Sequence, residues 1–418
     1  MKKFAIQFLL RWGARGVAVL MIPVVVMLVV IRPLICIRFG VLISDRIGHF
    51  VLNTELHECR RDADRIVSGR RTFDVWTLAT KQGTFTPLVC NQQVLTMWRR
   101  VICIWPVWCV DPILKATEWV PSGHRHRLDG GSDRDVDNYL EKTTPHLKFT
   151  EEELAHGECL LLDLYGVEPK DTVVCLMVRD SAYLNLIQPE TDWNYHNYRD
   201  QCIEDYVEAA QFLASKNCYV FRMGTTVKQP FECGTDKVID YANDPRRTAF
   251  LDVYLAWRCL FTISSSSGWD ALSCAFRKPL IQINYAPLGY LATWLEHSLA
   301  TVRKHRDGSQ GRALGSTEIV ARGAANAVTS DDFTAAGITL VSNTPQELRD
   351  VTEEMWERLH GLWEDTEEDE QRQHRFWEQY PMELKSEDEV GPNHGVRRMR
   401  IGAKFLRTNH EWCEPDRG

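Results

Sequence analysis

None of the thirteen cysteines of this 418-residue chain stands in a Cys-x-x-Cys pair, and no Cys/His group has zinc-ligand spacing. That excludes a zinc ribbon or a thioredoxin-type redox motif. An odd, scattered set of cysteines fits reduced, mostly buried thiols in a cytosolic compartment. There is no Gly-Lys-Ser/Thr and hence no Walker loop, and no Gly-x-Ser-x-Gly and hence no nucleophile elbow. Positive charge is not in excess: the net charge is −8, so the molecule as a whole is no nucleic-acid binder. Internal repeats are absent, and the one biased stretch is the acidic run Glu364–Glu370, with a basic patch at Arg397–Arg400. What remains is ordinary globular material, 44% hydrophobic and 25% charged, in a chain long enough for two domains.

Long apolar runs are scarce as well, with one exception. Gly16–Ile31, GVAVLMIPVVVMLVVI, carries no charge and lies between Arg15 and Arg32. As a helix it would reach roughly 24 Å, short of a hydrocarbon core of about 30 Å, and Pro23 would kink it. No small-x-small cleavage site follows, which argues against a signal peptide. A buried core helix is an alternative. The basic flanks (Lys2, Lys3, Arg11, Arg15, Arg32) suit anionic headgroups and favour a membrane-associated anchor over residues 1–34. Because both flanks are basic, they give no orientation.

Beyond it, Ile35–Ser44 reads as a strand and Asn53–Asp64 as a helix capped by Asn53 or Thr54. Strand-like pieces follow at TFDVWTLA and VICIWPVW, then a polar, glycine-bearing loop, Ser122–Asp137. From Glu151 the pattern is cleaner: helix Glu151–Tyr165, strand DTVVCLMVRD, helix CIEDYVEAAQFLASK, strand CYVFRMG, KVIDYA, helix TAFLDVYLAWRC, strand LFTISSS, a helix from Gly268, and strand PLIQINY. Strands alternating with helices over short connections predict a parallel, doubly wound α/β domain. The expected architecture is α/β, with two Rossmann-like domains (35–150 and 151–345) facing a cleft at the carboxyl ends of their strands. A charged helical tail, 346–418, could pack back on the first.

Three groups could carry chemistry. Phe261–Ala271, FTISSSSGWDA, runs a strand through four serines and a glycine into a helix, so that backbone N–H groups around Ser265, Ser266, Ser267 and Gly268 could hold a phosphate. An ordinary serine-rich turn with an N-cap is the competing reading. Arg179 and Arg222 end neighbouring strands at the same edge, where a diphosphate would want guanidinium forks. His49 follows Gly48 where the first strand hands over to a helix, the place for a base that deprotonates an acceptor hydroxyl. Asp45, Glu55, Asp111 and Asp129 could each orient it, and Gly48, Asn53 and Glu55 complete the acceptor-side loop. Asp133-x-Asp135-x-Asp137 and His124-x-His126 read as loop rather than metal ligands. The aromatic stretch DWNYHNYRD could stack on a sugar or base, or simply pack.

With these residues in view, the chain resembles a family of bacterial glycosyltransferases encoded with surface-polysaccharide genes. The matching stretches are DRIGHFVLNTEL, VRDSAYL, YHNYRD, FRMGT, FLDVYLA, SSSSGWDALSCAFRKPLIQINYAP, NTPQELRDV and RIGAKFLRTN, spread from Asp45 to Asn409. More distantly it is similar to GT-B glycosyltransferases, several of which place a Gly-His pair after the first strand and a Ser/Gly loop under the donor diphosphate. It departs from them in lacking the acidic donor motif after the serine loop. The resemblance implies transfer of a sugar from a nucleotide-sugar to a glycan acceptor, lipid-linked and at the cytoplasmic face of the inner membrane. Inversion, with His49 as base and no bound metal or other cofactor, is the implied chemistry. A nucleotide-sugar epimerase or hydrolase on the same fold, or a non-catalytic membrane scaffold, are the competing readings.

Overall fold

A computed structural model describes residues 16–68, 71–81, 83–86, 88–128, 130–187, 190, 193–383 and 394–413. The chain divides into two compact units. Unit 1 is Met1–Asp133 with Tyr139–Phe149, and unit 2 is Arg134–Asn138 with Thr150–Gly418.

Unit 1 opens with helix α1 (Ile22–Ile31), preceded by helical residues 16–20 and a turn at Met21. Pro23 sits in the first turn of α1, where its missing N–H costs nothing. Strand β1 (Cys36–Ile43) leads through a wide π-turn, His49–Asn53, directly into α2 (Thr54–Ser68). Then come β2 (Thr72–Ala79), α3 (Gln92–Arg99), β3 (Cys103–Ile104), α4 (Val107–Ala116) and a one-turn α5 (Tyr139–Lys142). The three strands form a parallel sheet in the order β1-β2-β3, with Cys36 opposite Thr72 and Ile43 opposite Ala79. VICIWPVW is thus strand only at Cys103–Ile104. Proline at 106 ends the pairing and opens α4.

The expected anchor is corrected here. Among the described residues no helix is long and apolar enough to cross a membrane. Instead α1 turns Val25 and Leu28 into a core with Phe39, Val75, Val110 and Ile113. Its other face, Pro23, Val26, Met27 and Val30 at helical spacing, is exposed and equally apolar.

Unit 2 runs α6 (Glu151–Tyr165), β4 (Val173–Met177), α7 (Ala182–Ile187), α8 (Val207–Ser215), β5 (Tyr219–Arg222), β6 (Val238–Ile239), α9 (Ala249–Arg258), β7 (Phe261–Ser264), α10 (Asp270–Ala275), β8 (Leu280–Tyr285) and β9 (Leu299–Val302). It continues with β10 (Lys304–Asp307), α11 (Ser316–Ala321), α12 (Ser330–Ala335), β11 (Ile338–Val341), α13 (Pro345–Leu359), α14 (Glu367–Gln379), β12 (Arg400–Ile401) and α15 (Ala403–Thr408). Seven strands pair in parallel in the order β12-β9-β8-β7-β4-β5-β6, and β10 and β11 form a separate antiparallel pair. Strands β4 and β7 are buried almost throughout, which is why β4, VVCLM, reads as an unbroken apolar run. α6 starts at a Thr150/Glu153 capping box and stops at Gly166 in the left-handed conformation.

Residues after 345, read from the sequence as a tail that could return to the N-terminal domain, lie in unit 2. Leu348, Val351 and Met355 of α13 enter the core built on β4, β7 and β8, and β12 extends the sheet beside β9. The acidic run opens α14 and meets the C-terminal basic residues there: Arg400 pairs with Glu370, and Arg407 with Asp369.

Candidate functional site

In unit 1 the π-turn decides where the site lies. His49, Asn53 and His57 follow one another at intervals of four and share one helical face. Asn53 donates its side-chain N–H groups to the carbonyls of Gly130 (3.2 Å) and Gly131 (3.3 Å), so its amide oxygen faces His49 Nδ1 at 3.3 Å. A ring that donates Nδ1–H to that oxygen presents the Nε2 lone pair, the form a general base needs. The Phe50 carbonyl of the turn accepts from Thr54 Oγ1 and from Trp98 Nε1, both at 2.9 Å, which pins the turn from two sides. His49, Asn53, His57, Trp76 and Gly130 line a small depression beside the end of β1.

The sequence missed the residues beneath it. His57 Nε2 lies 2.9 Å from Asp74 Oδ2 on β2, and Arg38 on β1 grips the same carboxylate with two 2.7 Å bonds. Burial alone would raise the Asp74 carboxyl, but the His57 and Arg38 bonds outweigh it and hold it down at about 2. The signal was available: a lone Asp in the apolar strand TFDVWTLA needs a buried partner.

None of the described acidic candidates orients His49. Asp45 accepts the Lys81 N–H at 2.8 Å, and Asp111 pairs with Lys115 at 2.7 Å. Asp129 lies outside the described residues. Glu55 sits two residues beyond Asn53 and therefore half a turn round the helix. It is fully buried and bonds His146, whose backbone N–H and Nδ1 both reach it. Gly48 has ordinary right-handed helical angles (φ −57°, ψ −53°), so its backbone does not demand glycine. His126 is buried with Nδ1 2.6 Å from the Ile37 carbonyl, a structural bond to β1, and Asp135, read as part of a solvated turn, is buried.

In unit 2 the carboxyl edge of the large sheet brings Arg179 and the serine turn together. The Arg179 backbone N–H donates to Ser265 Oγ at 2.7 Å, and its guanidinium reaches the His196 carbonyl at 3.3 Å and Asp200 at 3.6 Å. Ser266 is left-handed at φ 64°, which turns its carbonyl to Arg199 at 2.6 Å. Burial and the neighbouring Arg199 charge lower Arg179 to about 10. Two guanidiniums are thus gathered where an anion would relieve both. Arg199 was in the sequence, inside YHNYRD, but only the fold brings it to the turn. Within that stretch Ser330 Oγ donates to the Asn194 and Tyr195 carbonyls and Tyr198 meets Phe333 at 5.2 Å, while the Tyr195 ring stays exposed.

Two expectations change. Arg222 is 1% exposed and committed to Asp240 at 2.9 Å and to the Gln229 carbonyl at 3.2 Å, so it is a structural ion pair, not a diphosphate fork. The turn's backbone is also not an empty anion cradle. The Asp270 carboxylate accepts the Ser267 N–H at 3.1 Å and the Ser264 hydroxyl. Ser267 Oγ accepts the Trp269 N–H at 3.2 Å, and nothing places Gly268 on a ligand. Burial pushes Asp270 up to about 7 against those hydrogen bonds.

No protein-family model matches the sequence. No curated protein matches it either. Among solved structures, a glycosyl transferase family 9 protein from Veillonella parvula DSM 2008 is similar at 10% identity and a TM-score of 0.39, over 63% of this chain and 85% of that one. E. coli heptosyltransferase WaaC with ADP is similar at 10% identity and 0.28, over 60% and 88%. The same enzyme with ADP-2-deoxy-2-fluoro heptose gives 9% and 0.29, over 60% and 89%. These neighbours are glycosyltransferases, the class that the sequence resemblance names; at such TM-scores they carry no argument of their own.

Proposed function

We propose that the chain is a glycosyltransferase that moves a sugar from a nucleotide-sugar to a glycan acceptor, lipid-linked, in surface-polysaccharide assembly. Unit 2 takes the donor. The observation that carries the reading is the Arg199 guanidinium on the Ser266 carbonyl with the Arg179 backbone bonded to Ser265, the Arg179 charge near enough to Arg199 to be depressed by it, at the carboxyl edge of a parallel sheet, where open α/β sheets bind their ligands. Guanidiniums there neutralise the diphosphate as it leaves, and their contribution grows with the charge that develops in the transition state. Unit 1 supplies His49, held by Asn53, to take the proton from the acceptor hydroxyl as the new glycosidic bond forms. Proton abstraction by one base as the acceptor oxygen attacks is the chemistry of inversion at the anomeric carbon.

The acceptor's lipid gives the exposed face of α1 a purpose. Val26, Met27 and Val30 on α1, with Leu34 after it and Trp108 on the adjoining α4, are all exposed. A helix whose inner face is already packed and whose outer face is apolar suits lying in a headgroup layer rather than crossing it, and tryptophan favours that depth. We place the protein accordingly at the cytoplasmic face of the inner membrane.

The test is a thermal-shift series of the detergent-solubilised chain with UDP, GDP, dTDP, CMP and ADP, since a ligand of the folded state must raise its apparent stability. One nucleotide shifting the wild type but not Arg199→Met supports the donor site. Turnover of the matching nucleotide-sugar without acceptor would favour the hydrolase or epimerase reading, and no shift with any nucleotide would sink the donor site.

A further inference from the structure

On the face of α2 opposite His49 and His57, three metal-ligating atoms of different chemistry converge. Glu55, Cys59 and Asp62 stand at positions i, i+4 and i+7, one stripe of the helix. His146 comes to them from the segment after α5, across nearly ninety residues of sequence. Glu55 Oε1 and His146 Nδ1 are 3.2 Å apart, Glu55 Oε1 and Cys59 Sγ 3.6 Å, and Cys59 Sγ and His146 Nδ1 3.9 Å. Ligands at ~2.0–2.3 Å from a tetrahedral zinc stand roughly 3.3–3.7 Å from one another; the Glu55–Cys59 edge lies in that range, the Glu55–His146 edge just below it and the Cys59–His146 edge just above it, so small side-chain adjustments close the triangle on an ion. Glu55 and Cys59 are completely buried, which distinguishes the group from a solvated acidic cluster.

The atoms around the triangle also suit a metal. Asp62 Oδ2 lies 3.1 Å from His146 Nε2, the carboxylate–histidine arrangement that fixes a ligating ring with its other nitrogen towards the ion. Thr143 Oγ1 lies 2.9 Å from Cys59 Sγ and 2.8 Å from the Tyr139 carbonyl, so its one proton can turn from the carbonyl to the sulfur when the sulfur is a thiolate. Among the three ligands one carboxylate and one thiolate neutralise a divalent ion beside an imidazole, and the further negative charge of Asp62 sits on a partly exposed side chain where water screens it.

We propose that Glu55, Cys59 and His146 bind one divalent transition-metal ion of borderline softness, zinc in the first instance, with a water or the Thr143 hydroxyl as fourth ligand. The mixed sulfur, nitrogen and oxygen set excludes magnesium and calcium as natural occupants. On binding, the Cys59 thiol loses its proton and His146 Nδ1 presents its lone pair; the protons pass to solvent. The site is structural: it fastens residues 139–149 to α2, the helix whose opposite face carries His57 and whose π-turn carries His49. It is independent of the donor reading, because no nucleotide-site residue takes part.

The probe is cobalt(II) added to the full-length chain after EDTA dialysis. The expected result is one cobalt per chain, with a near-ultraviolet sulfur-to-cobalt charge-transfer band and intense visible bands of tetrahedral geometry, both displaced by zinc. Cys59→Ala should abolish the charge-transfer band while Cys90→Ala keeps it, and Asp62→Asn should weaken zinc about 10–100-fold. Zinc should also raise the melting temperature of the wild type and not of His146→Ala. Wild-type protein that takes up no cobalt, or takes it up without the sulfur band, overturns the proposal whether or not the variants fold. So does a sulfur band that survives in well-folded Cys59→Ala.

Discussion

Asn53 joins His49 to the Gly130–Gly131 segment: its amide oxygen faces His49 Nδ1 at 3.3 Å while its amide nitrogen is spent on the two glycine carbonyls. The side chain thus sets which ring nitrogen of His49 carries the proton, so the two residues should fail differently. His49→Ala should lower kcat for sugar transfer by about 10²–10⁴, the range for loss of a general base. Asn53→Ala should lower kcat about tenfold, with KM nearly unchanged, since it only positions the base. Steady-state kinetics with a saturating donor would decide, and wild-type turnover in His49→Ala would remove the base assignment.

Arg199, which the fold brings to the serine turn, and Arg222, which it buries against Asp240, should separate in the laboratory. Arg199→Met should weaken nucleotide binding by roughly 1.5–3 kcal/mol, the worth of a charge-assisted hydrogen bond, and leave the fold intact. Arg222→Met should instead cost about 1.5–3 kcal/mol of stability by removing a charge-assisted bond to Asp240, which keeps the Phe231 and Asn243 N–H groups. Denaturant titration and nucleotide calorimetry on both variants make the comparison, and the reverse ranking would contradict the placement.

Asp270 should give the protein an acid-side stability dependence. Its folded-state value, about 7, lies above the ordinary carboxyl, so the folded state holds the proton more tightly than the unfolded one. The stability this contributes is fully present below pH ~4 and is lost as the pH rises through 7, a few kcal/mol in all. Asp270→Asn should flatten that slope in urea melts taken between pH 4 and 7. An unchanged slope would show that another group sets it.

Gly157 on α6 lies against Tyr254 of α9 so closely that any Cβ would overlap the phenol ring. Gly157→Ala should therefore destabilise unit 2 by about 1–3 kcal/mol through overpacking, although alanine is the better helix former. A rise in thermal stability would mean that the helices can part at little cost.

Met27→Glu with Val30→Glu on α1 should abolish flotation with anionic vesicles and leave nucleotide-induced melting shifts unchanged. Undiminished flotation would move the lipid contact away from α1.

What the sequence made legible follows from the range of the forces involved. The alternation of unit 2 was readable because parallel strands buried on both faces leave unbroken apolar runs such as VVCLM, and because caps such as Thr150 and Gly166 are local. His49 could be placed near the end of β1 because only residues 44–48 separate the two. The partners of each site residue were not readable. Asp74 meets His57 and Arg199 meets the Ser266 carbonyl through contacts far apart in sequence, and Arg222 looked like a site residue because strand-end position says nothing of burial. The apolar run of α1 was visible, but not that half of it faces a protein core.

β12 is two residues long, yet it is a seventh strand of the large sheet, pairing Arg400 with Leu299 and Ile401 with Ala300. During synthesis that sheet keeps an open flank at β9 until the ribosome has released residues around 401. A message truncated upstream of Arg400 would therefore yield a product that keeps both arginines of the serine turn but presents a raw strand edge, a substrate for chaperones and proteases.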